Sequence, residues 1–291
     1  MGQFVWVNGS LVDSEKVMLS IYDHGFLYGD GAFEGIRVYN KRIFRLQEHV
    51  DRLYRSARAL AIDLSISNEE FFKAVLLTVT QNKVRSGYIR VSISRGVGLG
   101  LDPNSVKTNA TIIISTEQLR LYPQEMYDNG LNVITASTRV PPSVCIDPQI
   151  KSLGRYVNNI TAKMEANRVG AGEALMLNME GRVAEATGDN IFIVRNSALA
   201  TPPTSEGALP GITRATVMES AAALGIPCTE ATMTLYDIYN CDEAFLTGTA
   251  AEVIPMVRLD GRPIGDARPG PITLKLIAAF RADTAVNGPT W

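Results

Sequence analysis

Short runs rich in β-branched residues alternate along the whole chain with longer runs whose apolar residues fall on a helical stripe, a pattern that neither an all-helical nor an all-β fold can use. In the first half, "FVWVNGSLV" reads as a hairpin turning at Asn8-Gly9, and "YIRVSISRG" and "ATIIIST" read as strands. Between hairpin and strands, "LQEHVDRLYRSARAL" puts Leu46, Val50, Leu53, Ala57 and Leu60 on one stripe, and "NEEFFKAVLLTVTQNKV" keeps the same period. After Thr116 the segment "EQLRLYPQEMYDNG" loses strand character. From Leu131 strands return in "LNVITAS", "EALMLNM", "NIFIVRN" and "EAFLTGT", with helices expected at about 155–168, 212–225 and 271–282. The chain of 291 residues is long for one core and comfortable for two, and 46% hydrophobic residues can fill both. We expect two mixed α/β domains, 1–116 and 130–291, joined by a linker over 117–129.

Charge and rare residues narrow the chemistry. Lys and Arg number 28 against 30 Asp and Glu, without blocks of one sign, so no stripe for nucleic acid or anionic lipid is visible and the partner is expected to be a small molecule. The N-terminal "MGQFVWVNGSLVDSEK" lacks the marks of a leader, and no apolar stretch approaches the ~18 residues of a membrane span. Cys145, Cys228 and Cys241 are isolated and odd in number, which reads as reduced and points to the cytoplasm. Only His24 and His49 are available, so a histidine-rich metal site is nearly excluded and no metal is expected. HExxH, GxSxG, CxxC and the Walker A loop are all absent. Any chemistry must rest on Lys, Tyr, Arg, Glu or Thr, or on a borrowed cofactor.

Four stretches then stand out. "YGDGAFEGIR" (Tyr28 to Arg37) has Gly29, Gly31 and Gly35 beside aromatics, which fits either backbone packed against something flat or a tight turn between strands. "LPGITR" offers the amides of Ile212 and Thr213 at a helix start, either as an anion site or as ordinary capping. "TGTAAE" (Thr247 to Glu252) is a small-residue turn after a strand. "PQIKSLGRYVNN" sets Lys151 just before a helix, where a lysine is ordinarily a solvated charge.

Taken together with "FRLQEHVDRLYRSA", "YIR" and "EATGDNIF", in the same order and spacing, these motifs resemble the fold-type IV pyridoxal-phosphate (PLP) aminotransferases, and among them the branched-chain amino acid aminotransferases. The resemblance implies an α/β fold of the D-amino acid aminotransferase-like kind, with two mixed domains and the cofactor at their junction. It gives Lys151 the Schiff base with PLP and the proton transfer, and Tyr156, five residues on, a hydrogen bond to the cofactor's phenolic oxygen. Glu185, 34 positions after Lys151, would keep the pyridine nitrogen protonated. Arg52, Ile212, Thr213 and Thr249 would meet the phosphate. Tyr28, Phe33 and Tyr156 would line an aliphatic pocket, and Thr249 and Ala250 would bind the α-carboxylate, with Tyr88 and Arg90 nearby. The implied reaction is transamination between L-leucine, L-isoleucine or L-valine and 2-oxoglutarate in a homodimer or higher homo-oligomer. The same lysine, glutamate and arginine also serve D-amino acid aminotransferases, R-selective amine transaminases and aminodeoxychorismate lyase; a non-catalytic PLP-binding protein has no use for such a lysine. Two positions depart from the bacterial pattern: Arg155 stands where Asn is common, and Val91 where Pro is common.

Overall fold

The structure is a computed structural model describing residues 2–119 and 121–291; Met1 and Arg120, the latter inside the expected linker, lie outside the described residues. It divides into two compact units, one of residues 2–119, 150–155 and 284–291, the other of residues 121–149 and 156–283. The segment around Lys151 and the C-terminal tail thus join the first unit from far along the chain.

Among the described residues the first unit is built on a six-stranded antiparallel sheet. Its strands are β1 (Phe4–Val7), β2 (Ser10–Asp13), β3 (Gly31–Tyr39), β4 (Arg42–Ile43), β5 (Gly87–Ser94) and β6 (Thr111–Glu117), in the order β2-β1-β6-β5-β3-β4. Asn8 and Gly9 turn the first hairpin with φ of 46° and 100°, the left-handed pair that matches the twist of the strands. In β5, Ile89, Val91 and Ile93 are buried while Tyr88, Arg90 and Ser92 alternate to the other face. Helix α1 (His24–Tyr28) is short; α2 (Leu46–Ala59) buries Leu46, Val50, Leu53 and Ala57 in the core, as its stripe predicts. Each large apolar side chain so buried contributes about 2 kcal/mol. Helix α3 (Asn68–Gln81) starts at a capping box of Ser67 and Glu70. The tail is tied in by Ile43 N–H donating to Pro289 O and Trp291 Nε1–H donating to Val84 O at 2.8 Å.

The second unit carries, among the described residues, a nine-stranded sheet. Its strands are β7 (Leu131–Thr135), β8 (Glu173–Leu177), β9 (Val183–Ala186), β10 (Asn190–Arg195), β11 (Ala198–Thr201), β12 (Cys228–Glu230), β13 (Glu243–Gly248), β14 (Glu252–Leu259) and β15 (Arg262–Pro263). The order is β12-β11-β10-β13-β14-β7-β8-β9, with β15 on β14. In a flat sheet β9 and β10 would stand five inter-strand steps apart, about 24 Å. Residues 187–189 join them by four Cα steps, about 14 Å at most, so the sheet curls and brings its β9 edge back toward β10. That curl puts Glu185 and Asn190, at the two ends of the turn, close to the same loop. Strand β8 is buried at every position, the apolar run of residues 174–177 against the core and Glu173 with its carboxylate hydrogen-bonded. Helix α4 (Gln124–Asn129) falls within the segment expected as a linker. Helices α5 (Tyr156–Arg168), α6 (Ile212–Ala223) and α8 (Pro271–Val286) stand at the expected places, α8 continuing beyond residue 282; α7 (Leu235–Tyr239) is a single capped turn. No helix among the described residues is long and apolar enough to cross a membrane.

Candidate active site

In the first unit, residues 151–154 run antiparallel along the start of β3. Phe33 N–H donates to Lys151 O at 3.0 Å, Leu153 N–H to Gly31 O at 2.9 Å and Gly154 N–H to Gly29 O at 3.0 Å, and Ser152 bridges to Ala32. From the other side Lys151 N–H donates to Ser56 Oγ of α2 at 3.2 Å. The lysine's backbone is therefore fixed at both of its polar groups. The glycines of "YGDGAFEGIR" make this possible: a Cβ at Gly29 would lie 2.7 Å from Gly154 Cα, and one at Gly31 2.1 Å from Ile93 O. Gly35 has a different task, since its Cβ would lie 1.8 Å from the hydroxyl of Tyr88, which crosses it.

Phe33, only 7% exposed, is more than an apolar wall. Arg90 Cζ sits 3.7 Å and Lys151 Nζ 4.7 Å from its ring centroid, so one aromatic ring orients two cations. Arg90 is steadied further by Nε–H donating to Ser92 Oγ at 3.2 Å. Tyr28 packs edge-on against His24 at 5.1 Å and accepts a hydrogen bond on its hydroxyl from Gly100 N–H at 3.1 Å. His24 in turn meets Asp30 through Nδ1 at 3.1 Å, and Asp30 takes two bonds from Arg95 at 2.6 and 2.9 Å. Burial would raise the Asp30 carboxyl, but Arg95 and His24 hold it below the usual carboxylate range.

Arg52 is buried, and Glu34 Oε1 and Oε2 accept from its Nε and Nη2 at 2.7 and 2.8 Å. Glu34 Oε2 also faces His49 Nδ1 at 2.7 Å. Burial alone would push the Glu34 carboxyl up, yet the charge and hydrogen bonds of Arg52, with His49, hold it well below the carboxylate range. Burial pushes the His49 imidazole down, against the pull of Glu34. An ionised carboxylate can only accept, so the neutral imidazole carries its proton on Nδ1 and presents Nε2 as an acceptor.

The second unit holds the remaining candidates. Glu185 on β9 is buried, and its Oε2 accepts from Leu209 N–H at 2.8 Å. Ile212 and Thr213 open α6, where Gly211 at the N-cap provides no side-chain cap for the first amides. Thr249 and Ala250 lie half-buried in the turn between β13 and β14. The turn is tight: a Cβ at Gly248 would lie 1.9 Å from Asp189 Oδ1. Tyr156 is the first residue of α5, and one turn on Asn159 Nδ2–H donates to Thr187 O at 2.8 Å. Beneath that turn, Glu173 accepts from Thr187 Oγ1–H at 2.5 Å and Tyr122 Oη–H at 3.1 Å. Arg155 is buried in the first unit.

Lys151, Arg52, Tyr28, Phe33, Tyr88 and Arg90 thus belong to the first unit, and Tyr156, Glu185, Ile212, Thr213, Thr249 and Ala250 to the second. The structure adds Glu34, His49, Ser56 and Asn190 to these. A signal existed for the three on or against α2: His49, Arg52 and Ser56 repeat at i, i+3 and i+7, a polar stripe that proves to be buried. A buried polar stripe must have an internal partner, and Glu34 on β3 is it.

The first unit thus offers a backbone-clamped lysine, and the second a buried carboxylate and a helix start without a side-chain cap. The family model for amino-transferase class IV matches residues 31–259, and the chain belongs to that family. It is 44% identical to a Methanocaldococcus jannaschii protein, over 95% of each chain. It is 39% identical to the branched-chain-amino-acid aminotransferase of Pseudomonas aeruginosa, over 95% of this chain and 91% of that one. Among solved structures, the T.th. branched-chain amino acid aminotransferase with pyridoxamine 5'-phosphate superposes with a TM-score of 0.94 at 37% identity, covering 99% of this chain and 96% of that one. The same enzyme complexed with N-(5'-phosphopyridoxyl)-L-glutamate gives 0.92 at 36%, with the same coverage.

Proposed function

We propose that this chain is a PLP-dependent aminotransferase exchanging the amino group between branched-chain L-amino acids and 2-oxoglutarate. The observation that carries the reading is the setting of Lys151: its backbone is clamped by Phe33 and Ser56, and its amine lies against an aromatic ring. A merely solvated lysine needs none of this. The donor set fits the cofactor, since an amine, a buried carboxylate, a guanidinium and a helix start without a side-chain cap match an aldehyde, a pyridine nitrogen and a phosphate. When bound, PLP supplies the electron sink that lets the Cα–H of an amino acid ionise. Lys151 holds the cofactor and moves the proton to and from Cα. Glu185 keeps the ring nitrogen protonated, and its bond from Leu209 holds the carboxylate in place for that task. Tyr156 donates to the phenolic oxygen. Arg52, kept straight by Glu34, meets the phosphate together with the α6 amides, Thr213 and Thr249.

For the substrate, Phe33, Tyr28 and Tyr156 provide the apolar wall, and the Thr249 and Ala250 amides take the α-carboxylate. Burying the γ-carboxylate of glutamate requires a cation, and Arg90, held over Phe33 and on the same face of β5 as Tyr88, is suited to it. The phosphopyridoxyl-glutamate complex of the T.th. relative supports glutamate as one partner. A homodimer is supported by the apolar surface of the first unit, where Met18, Leu19, Ile21, Tyr22 and Phe26 are all at least half exposed, together with Leu99 and Leu101. A cytoplasmic setting agrees with three unpaired cysteines. The test is the visible spectrum of the purified chain. Adding L-leucine or L-glutamate should convert the cofactor absorbance within the mixing experiment, and D-alanine should leave it nearly unchanged. Conversion by D-alanine alone would overturn the substrate class.

A further inference from the structure

Asn190 opens β10, is 5% exposed, and reaches from the sheet to the loop before α6. Its Nδ2–H donates to Leu209 O at 2.9 Å, and Leu209 donates its own N–H to Glu185 Oε2 at 2.8 Å. Both polar groups of one residue, Leu209, are thereby committed, one to the carboxylate and one to the asparagine. Two residues on, a Cβ at Gly211 would lie 2.0 Å from Asn190 Oδ1, so the asparagine amide occupies the space a side chain would need. Ile212 then begins α6. In the sheet, Asn190 stands opposite Thr247, two residues before Thr249. A single buried side chain therefore touches or neighbours the segments bearing Glu185, the α6 start and the Thr249 turn.

We propose that Asn190 is a positioning residue that holds the Glu185 carboxylate and the α6 N-terminus at a set separation. This rests on the reading above, in which the first meets the pyridine nitrogen and the second the phosphate. The two ends of a rigid ligand are a fixed distance apart. A site whose two ends are also fixed lets each contact prepare the other; a loosened one must order itself at each binding event. The residue type follows from the contacts. The position needs one donor for the Leu209 carbonyl and a small flat group against Gly211; leucine has the shape without the donor, and serine is too short to reach.

The consequence is measurable without turnover. The full chain, stripped of cofactor, is titrated by fluorescence with pyridoxal 5'-phosphate and with pyridoxal, which lacks the phosphate, and its unfolding by heat is followed in parallel. In the wild type the phosphate should improve affinity strongly. In Asn190→Leu that improvement should shrink about 10-fold, the worth of one buried hydrogen bond, while affinity for pyridoxal changes little. Should Asn190→Leu fail to fold, Gly211→Ala acts on the same contact from the other side and should shrink the improvement likewise. Loss of both affinities by one factor, with the improvement due to phosphate unchanged, would make Asn190 a structural residue only and overturn the proposal. Wild type that binds neither compound would overturn the reading of the site itself, and the positioning role with it.

Discussion

In the first unit the buried carboxylate Glu34 is gripped by a guanidinium and an imidazole; in the second, one oxygen of the buried carboxylate Glu185 accepts from the Leu209 amide, itself held by Asn190. The first arrangement is ionic. Desolvating Glu34 and Arg52 is costly, and the pair persists because each satisfies the other, so removing either leaves an uncompensated buried charge. The contacts from Leu209 and Asn190 are neutral hydrogen bonds, each worth about 1 kcal/mol. The difference separates a carboxylate whose work is to hold an arginine from one whose work, in the reading above, is chemistry. Substitutions in the two units should therefore fail in different ways.

The largest effect belongs to Lys151→Ala. Its side chain supplies chemistry while its backbone supplies the contacts to Phe33 and Ser56, so turnover should fall by about four powers of ten or more with the fold intact. Steady-state rates beside circular dichroism and heat unfolding would check this, and retained wild-type turnover would rule the lysine out.

Next come the two carboxylates. Glu34→Gln should cost about 3–5 kcal/mol of stability, the range for breaking a buried pair by removing one partner, and should weaken cofactor retention. Glu185→Gln should cost less stability than Glu34→Gln, since the amide oxygen can still accept from Leu209, yet lower kcat far more than PLP affinity, since an amide cannot hold a charged pyridinium. Urea unfolding and single-turnover kinetics on both variants separate these outcomes; equal losses of stability would erase the contrast between the units.

A smaller effect is expected at Arg90. Arg90→Met should reduce kcat/KM for glutamate and 2-oxoglutarate by about 2–4 kcal/mol, as for one partner lost from a desolvated pair, and should spare leucine. Half-reactions with each amino acid, followed through the cofactor absorbance, would show it. Equal slowing of both would assign Arg90 to the shared α-carboxylate or to the strand.

The smallest concerns pH and centres on His49 of the first unit. Folding lowers the His49 imidazole from its ordinary 6.5, so the unfolded chain takes up a proton there that the folded chain refuses. Stability is thus full above about pH 6.5 and declines below it. Glu34, also lowered on folding, adds a second decline below its ordinary 4.5 as the unfolded chain protonates first. His49→Gln should flatten the first decline and leave most of the second, since Arg52 contributes more than His49 to holding the Glu34 carboxyl down. Denaturant midpoints between about pH 7.5 and 3.5 would cover both declines and reveal an unchanged slope in the first if His49 were not responsible.

How much of this was legible beforehand depends on range. The α2 stripe, the Asn8-Gly9 turn and the helix starting at Ile212 are local, and periodicity displays them. The antiparallel run of residues 151–154 beside β3 pairs positions more than a hundred residues apart, and no local pattern encodes it. Helix α4 is six residues long, too short for a period to show against the polar segment around it. Lys151, Glu185 and Arg52 stand out through family resemblance; the α2 polar stripe asks for a partner without naming Glu34, and Asn190, whose contacts lie with Leu209 and Gly211 about twenty residues on, becomes visible only with coordinates.

The account turns on Lys151 as the lysine that carries the cofactor, and reduction of the PLP-loaded full chain with borohydride, followed by proteolysis and mass mapping, tests it most directly. The predicted result is a single pyridoxyl group on the peptide containing Lys151, absent after Lys151→Ala. A pyridoxyl group on a different lysine, or an unlabelled chain with full transaminase activity, would contradict it.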